Sequence, residues 1–304
     1  TERNKGTAML DIYSFTANTA KNTDEKKKEH TKPKKKERLD VLLVERGFFD
    51  SRENAKRHIM AGIVLVDNVP VDKAGTKVPV KAEIRLKGKV MPYVGRGGFK
   101  LEKAINTFGI DLHDKVMADF GASTGGFTDC ALKHGAKKVF AIDVGYNQLD
   151  WRLRNNTKVV NMEKMNIKGV TLNVLKEKVD FIATDISFIS VLKIIPAVKS
   201  VLKDDGSLVI LIKPQFEAGK EKVGKGGIVR DPLVHEDVIS KVIHEFAREG
   251  FSIKGLTYSP IKGGQGNIEF LAYIQRAVEG EEQVPYTADQ IHDLVTLAHT
   301  NLKG

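Results

Sequence analysis

Four apolar, β-branched runs in the second part of the chain each end in a charged residue. These residues are Asp119, Asp143, Asp185 and Lys213. The runs are too short for buried helices, and they alternate with helical stretches such as 127–134 and 192–202, which predicts a doubly wound, mostly parallel α/β sheet. Ligands of such sheets bind at the carboxyl ends of the strands. We therefore expect a site there, where carboxylates and an amine could hold a cationic ligand and move a proton.

A glycine-rich loop follows the first of these runs, in the sequence Asp119-Phe120-Gly121-Ala122-Ser123-Thr124-Gly125-Gly126-Phe127. Glycines at a strand-to-helix turn let the backbone approach a ligand closely. The loop has neither the Gly-Lys-Ser/Thr ending of a nucleoside triphosphate loop nor the GxGxxG spacing of a dinucleotide loop. An acidic residue before the glycines would repel a pyrophosphate, but it suits the cationic methionine end of S-adenosylmethionine.

The sequence thus favours an S-adenosylmethionine site over a nicotinamide site, which stays the alternative. The residues expected to line it are Asp119, Gly121, Ser123, Gly125, Gly126, Phe127, Asp143 for the ribose hydroxyls, Met162 for the adenine, and Asp185.

Composition and charge restrict the class of protein. The 304 residues are 41% hydrophobic with a net charge of +10, and nearly all of the positive surplus lies in residues 1–98, which favours a polyanionic partner. The lysine-rich segment 1–37 is expected to be a flexible tail. Cys130 is the only cysteine, which excludes an intramolecular disulfide and a four-cysteine zinc site, and we expect no metal. Without a long apolar stretch or a signal-like N-terminus, we expect a cytoplasmic protein with no membrane partner.

Between the tail and the sheet, the pattern predicts two short helices and a hairpin. Residues 38–47 form one amphipathic helix stopped by glycine, and Ser51 caps a second helix that ends before Gly62. Residues 63–66 and 84–86 read as strands. On the second helix the basic residues fall away from an apolar stripe that contains Ala55 and Ile59, so one face is expected to be exposed and basic, which suits phosphates. The residues expected to contact them, here and in the segment that follows, are Arg38, Arg52, Lys56, Arg57, His58 and Arg96.

This region resembles the S4 RNA-binding domain in its RLDxLL opening (38–43) and in the SRxxAxxxIxxGxVxV pattern that starts at Ser51. Across residues 38–275 the chain resembles the TlyA family, once called hemolysin A, which couples an S4 domain to an FtsJ-like ribose methyltransferase. The resemblance implies a Rossmann-like class I methyltransferase domain at 99–304, an S4 domain at 38–90 and a linker at 91–98. It also implies ribosomal RNA or a ribosomal subunit as the partner, with cytidine as the acceptor.

The resemblance further implies a catalytic tetrad of Lys100, Asp185, Lys213 and Glu269, each within a matching local motif. A ribose hydroxyl is a poor nucleophile, so Lys213 would accept its proton or orient its oxygen while the two carboxylates position the lysines. The segment Asp185-Ile186-Ser187-Phe188 lacks the Asn/Asp-Pro-Pro-aromatic pattern common in enzymes that methylate amino nitrogens. That difference favours a hydroxyl acceptor.

Two other readings remain open from the sequence. One is a non-catalytic RNA-binding protein with a retired methyltransferase fold, which the intact tetrad disfavours. The other is a membrane-active hemolysin, which the absence of a long apolar stretch disfavours. The target nucleotide, the ribosomal subunit and the oligomeric state are not readable from the residues.

Overall fold

The computed structural model describes residues 36–49, 51–87, 92–278, 280 and 284–302. The chain divides into two compact units, Thr1–Val90 and Met91–Gly304. The tail predicted over 1–37 lies outside the described residues except for its last two positions. Among the described residues, no helix is both long enough and apolar enough to cross a membrane.

In its described residues, 36–49 and 51–87, the first unit contains two helices and two small antiparallel sheets. Its elements are β1 (Lys36–Arg38), α1 (Leu39–Glu45), α2 (Arg52–Met60), β2 (Val64–Val66), β3 (Val69–Pro70), β4 (Lys77–Pro79) and β5 (Ile84–Leu86). Strand β1 pairs with β4, and the second sheet has the order β3-β2-β5. The predicted cap is present, since the Ser51 side chain accepts a hydrogen bond from the Asn54 N–H at 3.2 Å.

A fully buried core holds this unit together. Leu39, Leu43, Ala55, Ile59 and Val64 are each 0% exposed. They come from both helices and from β2, so the apolar stripe predicted on the second helix packs against the first helix and the hairpin. The predicted helix at 38–47 begins one residue later than expected, because Arg38 pairs with Lys77 in the small sheet.

The second unit is a seven-stranded sheet with helices on both faces. Its strands are β6 (Val116–Phe120), β7 (Lys138–Ile142), β8 (Val159–Met162), β9 (Val179–Thr184), β10 (Leu202–Ile212), β11 (Phe251–Tyr258) and β12 (Phe270–Arg276). Its helices are α3 (Gly98–Phe108), α4 (Gly126–Lys133), α5 (Trp151–Arg154), α6 (Leu172–Leu175), α7 (Ile195–Val201), α8 (Pro214–Glu217), α9 (Pro232–Arg248) and α10 (Ala288–Asn301).

The strand order is β11-β12-β10-β9-β6-β7-β8. Strands β8, β7, β6, β9 and β10 are mutually parallel, whereas β12 is antiparallel to both of its neighbours. Alternate residues of the strands enter two separate apolar clusters, one for each face, as expected for a parallel sheet covered on both sides. The predicted α/β class is confirmed.

The sheet order determines where a ligand can bind. From β6 the chain continues to β7 and β8 on one side of that strand, and it then returns to form β9 on the other side. This topological switch point places a crevice at the carboxyl ends of β6 and β9. Because β12 runs antiparallel to β10, its first residue lies beside the last residue of β10, and Phe270 pairs with Ile212. The residues just before β12 therefore reach the same edge of the sheet.

The segment predicted as a linker belongs to the second unit in its described part, 92–98. Tyr93 and Val94 are 6% and 5% exposed. The Val94 N–H donates to Asp129 Oδ2 on α4 at 2.8 Å. The segment is thus packed against the helix that follows the glycine-rich loop.

Candidate active site

The four residues of the proposed tetrad come from four elements and meet at one edge of the sheet. Lys100 lies in the first turn of α3, Asp185 follows β9, Lys213 follows β10, and Glu269 precedes β12. Lys213 Nζ lies 2.5 Å from Asp185 Oδ1. Lys100 Nζ lies 2.7 Å from Glu269 Oε2 and 3.4 Å from Asp185 Oδ2. Asp185 therefore bridges the two lysines.

Asp185 is the most exposed of the four side chains and so marks the open side of the cluster. Lys100 and Lys213 are each 8% exposed and Glu269 is 1% exposed, whereas Asp185 is 21% exposed. Burial acts to raise the pKa of Asp185, but the ammonium groups of Lys100 and Lys213 outweigh it and hold that pKa below its usual value. Two ammonium groups and two carboxylates balance in charge, which lets the cluster persist in a poorly hydrated place.

Glu269 is fixed from the side opposite Lys100. Its Oε1 accepts a hydrogen bond from Gln215 Nε2 at 3.5 Å, and Gln215 lies two residues after Lys213. A Cβ atom on Gly263 would come within 1.9 Å of the same carboxylate oxygen, so a larger residue there would displace the Glu269 side chain. The turn before β12 thus closes directly over this carboxylate.

Ser187 and Phe188 complete the open side, and the sequence reasoning assigned no role to either. Lys213 Nζ donates to Ser187 Oγ at 3.0 Å. Phe188 is 88% exposed and has a φ of +68°, which is uncommon for a bulky residue. Its ring centroid lies 5.4 Å from that of Phe216. A local sequence pattern carries no signal for this exposure, because aromatic residues are usually buried.

The cofactor cleft expected beside β6 contains a buried carboxylate with one unpartnered oxygen. Asp119 is 0% exposed, and its Oδ2 accepts hydrogen bonds from the Thr128 N–H at 3.0 Å and Oγ1 at 2.7 Å. Its Oδ1 has no hydrogen-bond partner among the described residues. Burial raises the pKa of Asp119 to about 7, with a further contribution from the neighbouring carboxylates of Asp185 and Asp143. A cationic ligand group would relieve both the desolvation and the repulsion.

Asp143 lies at the carboxyl end of β7, next to this cleft. Its Oδ2 accepts from the Ser123 N–H at 2.8 Å and its Oδ1 from the Gly145 N–H at 2.6 Å. Each carboxylate oxygen keeps a second lone pair for a ligand hydroxyl. Met162, the last residue of β8, is half-buried and accepts the Asp143 N–H through its carbonyl at 3.1 Å. The structure thus brings Ser123 and Met162 together with Asp143.

The glycines of the loop serve close packing within the protein. A Cβ on Gly121, whose φ is +87°, would come within 2.7 Å of the Asp185 carbonyl oxygen. At Gly125, with a φ of +95°, a Cβ would come within 2.2 Å of Leu153. At Gly126 it would come within 2.9 Å of the Gly98 N. Each of these Cβ positions is already filled by protein atoms, which gives the loop a second requirement for glycine. Close approach of a ligand to these glycines stays a prediction.

Phe127 also differs from the expectation. Its side chain is 3% exposed and belongs to the apolar cluster between the sheet, α3 and α4. The ring therefore fills this core.

In the first unit, the structure corrects the basic face predicted on α2. His58 is 7% exposed, with its ring 4.5 Å from that of Phe49 and its Nδ1 2.8 Å from the Asn54 carbonyl oxygen. It therefore lies in the core, because its ring packs beside the apolar stripe. Lys56 pairs with Glu53 at 2.8 Å, and Arg57 is exposed.

Two further basic residues of this unit anchor a buried carboxylate. Asp40 is 0% exposed and lies 3.0 Å from Arg38 Nε and 2.9 Å from Arg52. These guanidinium groups overcome the burial and hold the pKa of Asp40 down to about 2. Arg38 and Arg52 thus have a structural role besides any contact with RNA. Arg96, in the second unit, is exposed.

A separate cavity of about 850 Å³ lies away from this chemistry. It is bounded by α9, β11 and the start of α10, with residues such as Ile243, Ser252 and Tyr286 in its walls. None of the tetrad or predicted cofactor residues lines it. Its size therefore gives no reason to move the candidate site from the carboxyl edge of the sheet.

The chain is similar in sequence to known proteins. Residues 93–276 match the sequence profile of FtsJ-like methyltransferases, and residues 37–84 match that of the S4 domain. YqxC of Bacillus subtilis (strain 168), provisionally named an rRNA methyltransferase, is 50% identical over 270 residues, which are 88% of this chain and 96% of its own.

Two further relatives agree with these matches. A protein of Mycobacterium tuberculosis (strain CDC 1551 / Oshkosh), named 16S/23S rRNA (cytidine-2′-O)-methyltransferase TlyA, is 36% identical over 260 residues, which are 85% of this chain and 97% of its own. A solved structure from Streptococcus thermophilus, provisionally named a hemolysin, is 44% identical with a TM-score of 0.68, covering 88% of this chain and 98% of its own. The resemblance predicted from the motifs is confirmed.

Proposed function

The chain belongs to the FtsJ-like methyltransferase family, and from that premise we propose that it transfers a methyl group from S-adenosylmethionine to a ribose 2′-hydroxyl of ribosomal RNA, with cytidine as the target nucleotide. The observation that carries the proposal is the Lys213 ammonium group, held by Asp185 and Ser187 on the open side of the tetrad. The names of the relatives supply the substrate and the nucleotide.

The residues of the cleft fit the proposed cofactor. S-adenosylmethionine supplies an electrophilic methyl group on a positively charged sulfur. The unpartnered oxygen of Asp119 would accept a hydrogen bond from the ammonium end, and Asp143 would bind the ribose hydroxyls. Asp185 adds negative charge close by, as its effect on the pKa of Asp119 indicates. Three carboxylates around one cleft suit a ligand that carries two positive charges.

Lys213 would act on the attacking oxygen. An ammonium group has three N–H donors, and the contacts to Asp185 and Ser187 use two of them. The third can donate to the ribose oxygen and stabilise the negative charge that develops on it. As that oxygen bonds to the methyl carbon, the carbon–sulfur bond would break to leave a neutral thioether, and the hydroxyl proton would pass to water. Asp185 fixes the direction of this donor, and Lys100 with Glu269 fixes Asp185.

Phe188 supplies a surface for the target base. Its exposed ring beside Phe216 could stack on a nucleotide turned out of its helix, an interaction worth roughly 1–3 kcal/mol per base. The ring is adjacent to Ser187, and therefore to the lysine that acts on the sugar. The S4 domain would supply further RNA contacts from its exposed basic residues, such as Arg57.

The experiment is tritiated methyl transfer from S-adenosylmethionine to separated ribosomal subunits and to their naked RNAs. We expect label in RNA, recovered after digestion as 2′-O-methylcytidine, from the unmodified protein and at least about 100-fold less in the same time from the Lys213→Ala variant. Label on a base nitrogen, or no label while the cofactor still binds, would contradict the proposal. Comparison of subunits with naked RNA identifies the substrate particle in the same assay.

A further inference from the structure

Glu217 is a buried carboxylate close to the tetrad that has no part in the chemistry described above. It is the last residue of α8, four positions after Lys213, and it is 7% exposed. Its Oε1 accepts the Val191 N–H at 2.7 Å, and its Oε2 accepts the Ser190 hydroxyl at 2.6 Å. Burial raises its pKa, so placing a carboxylate here carries a desolvation cost.

These two hydrogen bonds close a short arch formed by residues 186–190. At the first end of the arch, the Asp185 N–H is held by the Phe120 carbonyl in the sheet at 3.0 Å. At the other end, the hydrogen bonds to Glu217 hold Ser190 and Val191. The arch carries Ser187, which contacts Lys213, and the exposed ring of Phe188.

The arch needs an external anchor because its central residue is strained and makes few contacts of its own. Phe188 has a left-handed backbone with a φ of +68° and is 88% exposed. A residue in that conformation persists only when its surroundings impose it. Glu217 is the connection from the far end of the arch to α8, the helix that begins immediately after Lys213 and contains Phe216.

We infer that Glu217 is a positioning residue for methyl transfer: it joins the arch 186–190 to α8 and so keeps Ser187 and Phe188 in register with Lys213. This inference rests on the proposed function, since the geometry it protects is that of the reacting hydroxyl and the target base. Glu217 touches neither of them. Its effect is therefore expected on the rate of transfer at saturating substrates and not on cofactor binding.

The test compares Glu217→Ala with Glu217→Gln in the full chain. Alanine removes both anchors, and we expect a 10- to 100-fold lower single-turnover rate at saturating cofactor and RNA, in line with the cost of small misplacements near reacting groups. Glutamine keeps an oxygen for the Val191 N–H and an amide that can donate to the Ser190 oxygen. It should therefore restore the rate to within about fivefold of the unmodified protein.

The control is Glu221→Ala, which removes an exposed carboxylate four residues further along the chain and should leave the rate unchanged. In all variants we expect the dissociation constant for S-adenosylmethionine, measured by calorimetry, to stay within about threefold. If Glu217→Ala does not fold, Ser190→Ala removes the partner of Oε2 together with the hydrogen bond that Ser190 Oγ accepts from the Leu192 N–H at 3.2 Å, and a 3- to 10-fold lower rate is then expected.

Three results would overturn the inference. These are an alanine variant that transfers at the normal rate per folded molecule, a glutamine variant as slow as the alanine variant, or a rate loss matched by an equal loss of cofactor affinity. If Ser190→Ala stands in for the alanine variant, a normal rate overturns it as well. Failure of the unmodified protein to methylate any RNA is a different outcome, because it refutes the proposed function itself.

Discussion

Replacing Lys213 by alanine is the most direct test of the tetrad. The substitution removes an ammonium group that lies 2.5 Å from Asp185 Oδ1 and 3.0 Å from Ser187 Oγ. A group that stabilises or moves a proton in the transition state typically contributes a rate factor of about 10² to 10⁴. At about 1.4 kcal/mol for each tenfold, that factor is about 3–6 kcal/mol of the activation barrier. We expect the single-turnover rate of the alanine variant to be about 10²- to 10⁴-fold lower than that of the unmodified protein.

Binding of the cofactor should change much less. The contacts of Lys213 go to Asp185 and Ser187, whereas the cofactor is assigned to Asp119 and Asp143. Asp185 also keeps Lys100 at 3.4 Å, so one of its two cationic partners remains. We therefore expect the dissociation constant of S-adenosylmethionine to stay within about threefold and the fold to survive.

The assay is single-turnover transfer of tritiated methyl groups to ribosomal RNA, with cofactor binding measured separately by calorimetry. The matched control is Lys178→Ala, whose lysine lies just before β9 at the opposite edge of the sheet and pairs with an exposed aspartate. Lys213→Arg separates two roles, because arginine keeps the charge but cannot accept a proton. Activity that survives in the arginine variant assigns Lys213 to charge stabilisation, and loss equal to that of alanine assigns it to proton transfer or to a strict geometry.

Two results would refute the reasoning. If the alanine variant loses cofactor affinity and transfer rate by the same factor, Lys213 belongs to the cofactor site and not to the acceptor site. If the alanine variant transfers at the normal rate, the tetrad is a structural ion-pair cluster.

Four other predictions follow from the two units. Asp119 has a pKa of about 7 and a cationic cofactor favours its ionised form, so the affinity for S-adenosylmethionine should rise about fivefold to tenfold from pH 6 to pH 7.5, with release of a proton. Calorimetry in buffers of different ionisation enthalpy measures both effects, and the same pH dependence in Asp119→Asn would show that this assignment is wrong. Phe188→Ala should lower kcat/KM for RNA by about 10- to 100-fold through lost stacking, and an unchanged kcat/KM would remove the ring from the base site. Asp40 has a pKa lowered to about 2, so its contribution to stability is present above about pH 4 and is lost as the pH falls towards 2. Thermal unfolding over this pH range should show a steeper loss of stability in the unmodified protein than in Asp40→Asn, and an equal pH dependence in the two proteins would contradict the pairing. Deletion of residues 1–90 should weaken RNA binding at least tenfold and reduce its salt dependence while cofactor affinity stays within a few-fold, and unchanged RNA affinity across salt concentrations would exclude a docking role for the first unit.

Several strands and a helix cap could be predicted from local sequence patterns. The runs that end at Asp119, Asp143 and Lys213 are strands, because short β-branched segments between helical stretches fit a sheet that helices cover on both faces. Ser51 caps its helix because a serine hydroxyl satisfies an N–H group that the helix itself leaves open. Such features depend on neighbours a few residues apart, so the sequence carries them directly.

The candidate site was predictable only as a set of separate motifs. Their resemblance to one family named Lys100, Asp185, Lys213 and Glu269, but it gave no distances. That Asp185 bridges both lysines depends on the register of β6, β9 and β10, and Glu269 reaches them because β12 is antiparallel to β10. The side-chain contacts of the site join residues up to 169 positions apart.

Burial of individual side chains was decided by tertiary packing, and residue type alone does not reveal it. His58 carries a polar ring on a basic helix, yet it stacks on Phe49 in the core, whereas Phe188 is apolar and lies almost fully exposed. The residue types of the chain therefore determined its elements, its charge distribution and the inventory of chemical groups. Which groups face one another, and which face solvent, was decided by contacts between distant segments, because a side chain's environment is set by what packs against it and not by its neighbours in the chain.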